Sequence, residues 1–299
     1  MSGGKFMTLA REKTVIGFVG TGVMGKSMAG HLIKGGYPVV VYNRTASKTE
    51  ELVRMGAARE DTVAGLAARC NVIITMVGFP ADVEEVYLGE KGIIANARPG
   101  TYLIDMTTSS PALAERIYRE AAARGLRALD APVSGGDVGA REARLAIMVG
   151  GDREDFEAVL PVFGLMGNNI VLQGKAGAGQ HTKMCNQIVI ASTMTGVCEG
   201  IAYAKKAGLD PSSVLKSIET GAAGNWSLSN LAPRMIAGDF EPGFYVKHLI
   251  KDMNIALQAA GEMGLAAPGL ELASSLYRKL AEEGEENSGT HALFKLYDR

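Results

Sequence analysis

Residues 14–36 read TVIGFVGTGVMGKSMAGHLIKGG. The apolar and β-branched residues Val15, Ile16, Phe18 and Val19 run straight into Gly20, Gly22 and Gly25, after which Met24, Met28, Leu32 and Ile33 repeat with a helical period. The stretch therefore predicts a strand, a glycine turn and a helix. The three glycines serve the backbone in different ways. Gly20 allows a tight turn, Gly22 lets a pyrophosphate approach the main chain, and Gly25 lets the helix pack on the strand. The helix start then offers unpaired N–H groups and the positive end of its dipole to phosphates. Gly20, Thr21, Gly22, Val23, Met24 and Gly25 are thus candidate cofactor-binding residues. In a chain with 38 glycines the spacing alone is a weak sign; its place between a strand and a helix makes it a dinucleotide site.

The next strand, residues 38–42 (PVVVY), ends at Asn43, Arg44 and Thr45. Folds selective for NAD place Asp or Glu here, about 20 residues past the glycines, to bind the adenosine ribose. Asn43 is neutral, and Arg44 offers a planar fork of donors suited to the extra phosphate of NADP, with the Thr45 hydroxyl beside it. NADP is expected in preference to NAD, the alternative being that Arg44 is a solvated turn residue.

Residues 71–77 (NVIITMV), 102–106 (YLIDM), 126–132 (LRALDAP) and 145–149 (LAIMV) read as further buried strands, with a last short one at 169–172. Helices are expected over 47–55, 61–69 with Asp61 as cap, 80–87, 92–96 and 152–163. This alternation predicts one α/β domain with a doubly wound, Rossmann-like sheet. Ligands of such sheets sit beyond the carboxyl ends of the strands, so Met76 and Val77 should line the cofactor cleft. Thr107, Thr108, Ser109 and Ser110 precede Pro111; capping explains one or two of these hydroxyls, and four together also suit a polar pocket wall. Ser134, Gly135 and Gly136 make either a plain turn or a loop whose backbone N–H groups cradle a carboxylate.

At Gly174 the pattern changes. Gly174, Gly177 and Gly179 are expected to form a flexible connection, and from Gln180 to Ala207 no proline and only Gly196 and Gly200 interrupt a helix on the order of 40 Å long. Lys183 sits in its first turn, and Asn186 and Gln187 share its face, so an ammonium and two amides can converge. Everything afterwards reads as helical: helices from Asp210–Pro211, over 226–237, over 245–263 and from Pro268, then a short tail at 293–297. Asn225 and Trp226 lie either near a substrate or, for Trp226, in the core. The expected division is 1–13 as a flexible extension, 14–176 as the dinucleotide-binding domain and 177–299 as an all-helical substrate and oligomerisation domain.

Bulk properties narrow the function classes. A net charge of -1 gives no global attraction to nucleic acid or anionic membrane. Three cysteines without C-x-x-C spacing predict neither a disulfide framework nor a zinc site, which favours a reducing, cytoplasmic setting. No segment has the length and apolarity of a membrane span or a secretory signal. No metal is expected, since no His or Cys residues cluster.

The segments GFVGTGVMG (17–25), VYNRT (41–45), DMTTSSP (105–111), DAPVSGG (130–136), GAGQHTKMCNQ (177–187) and FYVKHLIKD (244–252) together resemble the β-hydroxyacid dehydrogenase family, in its order and over most of the chain. That family includes 3-hydroxyisobutyrate dehydrogenase and glyoxylate or succinic semialdehyde reductases. The resemblance implies hydride transfer between NAD(P) and a small acid bearing a hydroxyl or aldehyde. Lys183 would be the general acid or base, Ser134, Gly135 and Gly136 would hold the substrate carboxylate, and Asn186 would orient the substrate. Thr108 and Lys251 match cofactor-contacting positions, and Phe244 and Asp252 match positions lining or supporting the site. NRT after the second strand is the pattern of the NADPH-using reductases, and a homodimer or homotetramer is implied. Within the fold, 6-phosphogluconate dehydrogenase fits less well because its chains are longer and more basic at the site, and imine reductases because they replace the lysine. A non-catalytic NADP-binding regulatory protein is the rival from another class; the intact lysine and SGG loop argue against it.

Overall fold

The computed structural model describes residues 9–298 of the 299-residue chain. The part of the expected amino-terminal extension at residues 1–8 lies outside the described residues. Residues 11–13 form the 3-10 turn Arg11–Lys13, and Leu9 packs against the core. Two compact units divide the chain, residues 1–183 and 184–299.

In the first unit the strands are β1 (Ile16–Val19), β2 (Val39–Tyr42), β3 (Ala58–Arg59), β4 (Val72–Thr75), β5 (Tyr102–Asp105), β6 (Arg127–Asp130), β7 (Val133–Ser134), β8 (Leu145–Gly150) and β9 (Gly167–Gly174). They form one sheet in the order β3-β2-β1-β4-β5-β6-β8-β7, with β9 paired to β8. From β3 to β6 every pairing is parallel; β8 runs antiparallel to β6 and β7 and parallel to β9. The parallel strands read as unbroken apolar runs because both faces are buried. Val39 and Val41 face one core with Val72, Ile74 and Ile104, whereas Val40, Ile73 and Leu103 face the other. Such side chains contribute about 1.5–3 kcal/mol each on burial. The strand order reverses between β1 and β4, which places the switch point of the sheet beside the turn that follows β1.

Several expected details differ. The 61–69 helix begins at Val63 and its cap is Thr62, whose hydroxyl accepts from Gly65 N; Asp61 lies one residue too early. The connection at Gly174, Gly177 and Gly179 is not a loose linker: Gly179 lies inside the helix Ala178–Lys206, where a Cβ would stand 2.4 Å from Met148 O and 2.6 Å from Asp130 O. Its facing partner is Gly150, where a Cβ would be 2.7 Å from Gly179 N. These glycines permit close approach of backbone to backbone.

The second unit is all helical. The long helix turns Ala191, Met194, Cys198 and Ile201 into a core shared with Val246, Leu249, Met253 and Ala256 of helix Val246–Glu262 and with Leu270, Ala273, Tyr277 and Leu280 of helix Pro268–Leu280. The segment expected as a tail is instead a 3-10 helix, Thr290–Leu296, with Ala292, Leu293 and Phe294 buried and Tyr277 donating to Thr290 O at 2.8 Å. The single helix expected over 226–237 is two, Trp226–Asn230 and Ala232–Ala237, which meet at Leu231. Trp226 is exposed and outside the core, and Asn225 caps by accepting from Leu228 N.

Candidate active site

The glycine turn is built almost wholly by main chain. Gly20 has φ +96°, and a Cβ there would lie 2.2 Å from Met76 O; at Gly25 it would lie 1.9 Å from Gly20 O. Helix Val23–Lys34 is thereby held against the turn. Nothing lies within 4 Å of a Cβ placed on Gly22, so the start of this helix is open on that side. A cradle of this shape, with helix-start N–H groups that lack intrahelical acceptors, fits a dinucleotide pyrophosphate. Val23 is exposed and Met24 half-buried.

Asn43 braces this turn. Its Oδ1 accepts from Thr21 N at 2.9 Å and its Nδ2 donates to Thr45 O at 3.0 Å, so it ties the end of β2 to the turn after β1. The Thr21 hydroxyl adds a bond to Lys48 O at 3.0 Å. Arg44 is 86% exposed and reaches Asp82 at 3.4 Å. A pair so open contributes only about 0–1 kcal/mol, so little opposes its exchange for a phosphate. Thr45 is exposed beside it.

The carboxyl ends of β4, β5 and β6 are joined by a polar network. Val77 N donates to the Thr107 hydroxyl at 3.0 Å, while Thr107 N and the Thr75 hydroxyl donate to Asp105 Oδ1 at 3.0 and 2.8 Å. Thr75 also bonds Tyr87 OH at 2.9 Å. Burial pushes the Asp105 carboxyl up to about 6, against donors that favour its charged form. Asp130, at the end of β6, accepts from Gly177 N and Gln180 N, both at 2.8 Å, and so binds the start of the long helix; burial raises its carboxyl as well. A charge-assisted bond of this kind contributes about 1.5–3 kcal/mol, which offsets part of the carboxylate's desolvation. Gln180 returns to the β5 end, accepting from Ser109 N at 2.9 Å and donating to Thr107 O at 2.7 Å. Of the four hydroxyls, Ser110 caps the helix from Pro111 by accepting from Leu113 N, Thr107 serves the network, and Thr108 is half-buried. Met76 and Val77 are half-buried on the same edge of the sheet.

Ser134 closes β7 by pairing with Ala146, and Gly135 and Gly136 take φ +130° and +62° as the chain enters helix Gly136–Arg141. Both glycines are exposed. Lys183 is 7% exposed; because the long helix begins at Ala178, it stands in the second turn rather than the first. A buried ammonium is costly in a purely structural part.

In the second unit, Asn186 Nδ2 donates to Gln187 Oε1 at 2.7 Å, Gln187 Nε2 donates to Asp252 Oδ2 at 2.6 Å, and Lys251 Nζ stands 3.0 Å from Asp252 Oδ1. Phe244 is half-buried, its ring 6.5 Å from that of His248. Burial, then the Lys251 and Lys247 charges, holds the His248 imidazole below its usual range. Two residues of the first unit that bind main chain, Asp130 and Gln180, are not predicted as functional groups by the sequence, whereas Gln187, expected beside Asn186 on the Lys183 face, binds Asp252. Their one signal is place: Asp130 opens the DAPVSGG segment and Gln180 lies within GAGQHTKMCNQ.

Residues 15–174 match the family described as the NAD binding domain of 6-phosphogluconate dehydrogenase, and residues 177–297 that described as NAD-binding of NADP-dependent 3-hydroxyisobutyrate dehydrogenase. An oxidoreductase of Bacillus subtilis (strain 168), YkwC, is 64% identical over 95% of this chain and 99% of its own. A probable 3-hydroxyisobutyrate dehydrogenase-like protein 1, mitochondrial, of Arabidopsis thaliana is 48% identical over 96% of this chain and 86% of its own. The 2-hydroxy-3-oxopropionate reductase of Escherichia coli (strain K12) is 38% identical over 93% and 95%. Among solved structures, the 3-hydroxyisobutyrate dehydrogenase of Mycobacterium tuberculosis with L-serine superposes with a TM-score of 0.88 at 31% identity, covering 96% of this chain and 99% of that one.

Proposed function

This chain belongs to the β-hydroxyacid dehydrogenase family and binds NAD(P), and from that premise we propose that it moves hydride between NADP(H) and a small β-hydroxy acid, its semialdehyde, or glyoxylate. The observation that carries this reading is the burial of Lys183 on a helix whose start is tied by Asp130 to the end of β6 and by the helix's own Gln180 to the loop after β5. The bound cofactor would supply or accept the hydride. Gly20, Thr21, Gly22, Val23, Met24 and Gly25 would hold its pyrophosphate, Arg44 and Thr45 its extra phosphate, and Met76, Val77, Thr108 and Lys251 its remainder. Ser134 with the N–H groups of Gly135 and Gly136 would hold the substrate carboxylate, with Asn186, Phe244 and Asp252 completing the substrate side. As negative charge grows on the carbonyl oxygen, Lys183 Nζ donates a proton to it; in the oxidising direction the same amine takes the hydroxyl proton.

NADPH consumption with glyoxylate, succinic semialdehyde, methylmalonate semialdehyde and 2-hydroxy-3-oxopropionate tests the reading. At least one should be reduced, and Lys183→Ala should lose about a hundredfold or more in kcat. NADPH binding without turnover on any of them would favour a regulatory protein instead. A homodimer or homotetramer in the cytoplasm completes the proposal, supported by the exposed Val189 and Tyr203 on the long helix and by three free cysteines; light scattering on the purified chain checks the assembly.

A further inference from the structure

We propose that Gln180 is a positioning residue that sets the Lys183 turn of the long helix in register with the 107–109 loop, so that proton donor and cofactor are aligned by one side chain. The inference rests on Lys183 as the acid and on Thr108 facing the cofactor. Gln180 is fully buried, where an amide must find partners for both its ends. Its Oε1 accepts from Ser109 N at 2.9 Å and its Nε2 donates to Thr107 O at 2.7 Å. A main-chain N–H cannot accept and a carbonyl cannot donate, so this amide has one possible orientation. The two bonded residues flank Thr108, and the loop is gripped on both sides of it.

On the helix, Gln180 and Lys183 are three residues apart and share a face, about 4.5 Å apart along the axis. The same residue is fixed at its main chain, where its N–H donates to Asp130 Oδ2 at 2.8 Å. Thr107 passes the connection on through its hydroxyl, which accepts from Val77 N at 3.0 Å. The loops after β4, β5 and β6 are thereby bound to the helix turn that precedes Lys183. The alternatives serve less well: Asn is one methylene short, a Glu carboxylate accepts from Ser109 N but confronts the Thr107 carbonyl with a second acceptor and must take up a proton to restore that bond, and Ala makes neither contact.

Hydride and proton reach adjacent atoms of one carbonyl, and an error of about 1 Å in such an arrangement costs up to about a hundredfold. The test uses the full chain as Gln180→Glu and Gln180→Ala, with the aldehyde of the panel that turns over best. Three quantities are read: NADPH affinity by fluorescence, kcat per NADPH-binding site, and the isotope effect with NADPH deuterated at the transferred position. The expected result is NADPH affinity within about threefold of wild type, kcat per site lowered about tenfold or more, and an isotope effect at or above the wild-type value. Counting only sites that bind NADPH removes misfolded protein from the comparison. The proposal is overturned if kcat per site stays within about threefold of wild type in both variants, or if the isotope effect falls below wild type, because the slowed step is then not hydride transfer. Loss of NADPH binding in both variants also overturns it, since the residue would then serve the fold and not the alignment. Lys183→Ala separates the two layers: full turnover in that variant sinks the lysine reading, whereas its loss beside unimpaired Gln180 variants sinks only the present proposal.

Discussion

The two ends of the candidate site in the first unit are made differently. Around β1 and β2 the cofactor turn is backbone made: a left-handed glycine, a helix start and one asparagine, all within residues 20–45. At the ends of β4, β5 and β6 the structure is made by side chains, most of them binding main chain, and the bonds that join its segments connect residues 30 to 73 positions apart. A local backbone device is legible in one segment. A collar assembled from four segments becomes visible only when the chain is folded.

The contrast is sharpest at the glycines. Gly25→Ala should be the most damaging change, since its methyl would stand 1.9 Å from the Gly20 carbonyl oxygen; a loss of more than about 4 kcal/mol is expected in chemical denaturation, with little folded protein recovered. Gly22→Ala meets nothing within 4 Å. It should leave the melting temperature of the ligand-free protein within a few degrees and still weaken NADPH binding at least about tenfold, because the methyl takes the space of the pyrophosphate. Equal effects of the two alanines on stability would erase the distinction between a packing glycine and a ligand glycine.

The collar should declare itself through pH. The Asp105 carboxyl is near 6 in the fold and 3.8 in the reference state. Between those values the folded protein holds a proton that the unfolded chain has released, so this group makes stability fall as pH rises from about 4 to 6 and level off above. The span corresponds to on the order of 3 kcal/mol. Asp105→Asn keeps an oxygen for Thr75 and Thr107 and removes the titration, so its urea midpoint should lack that decline relative to wild type; parallel pH profiles for the two proteins would refute the assignment. The smallest effect belongs to Arg44→Ala. Stability should not change, and the Michaelis constant for NADPH should rise several-fold while that for NADH stays put. An equal rise for both cofactors would remove Arg44 from the phosphate site.

Much of the fold is legible in the sequence because parallel strands buried on both faces are unbroken apolar runs: IGFV, VVVY and VIIT announce themselves. Two-residue strands do not, which is why β3 and β7 are hidden there, and helix Gly136–Arg141, with GDVGAR, has too short a pattern to show a period. Thr62 and Asp61 are both good caps one residue apart, and only the bond to Gly65 N decides between them. Leu293 and Phe294 look like the end of a chain because burial is a property of neighbours, here Tyr277 and its helix. The candidate site divides in the same way. Gly20, Arg44, Ser134 and Lys183 can be proposed from type and position. Gln180 cannot, since a glutamine on a largely apolar helix has no signature apart from the main-chain atoms it meets.

Gly150 and Gly179 touch across a helix and a strand although 29 positions separate them, and neither has room for a methyl. In a saturation scan scored by survival, these two positions would rank with Lys183 among the least permissive in the chain. Such a ranking would report crowding as if it were chemistry. An assay that measures folded protein and turnover separately would tell the silent pair from the working lysine, and a variant library aimed at new substrates should leave both glycines untouched.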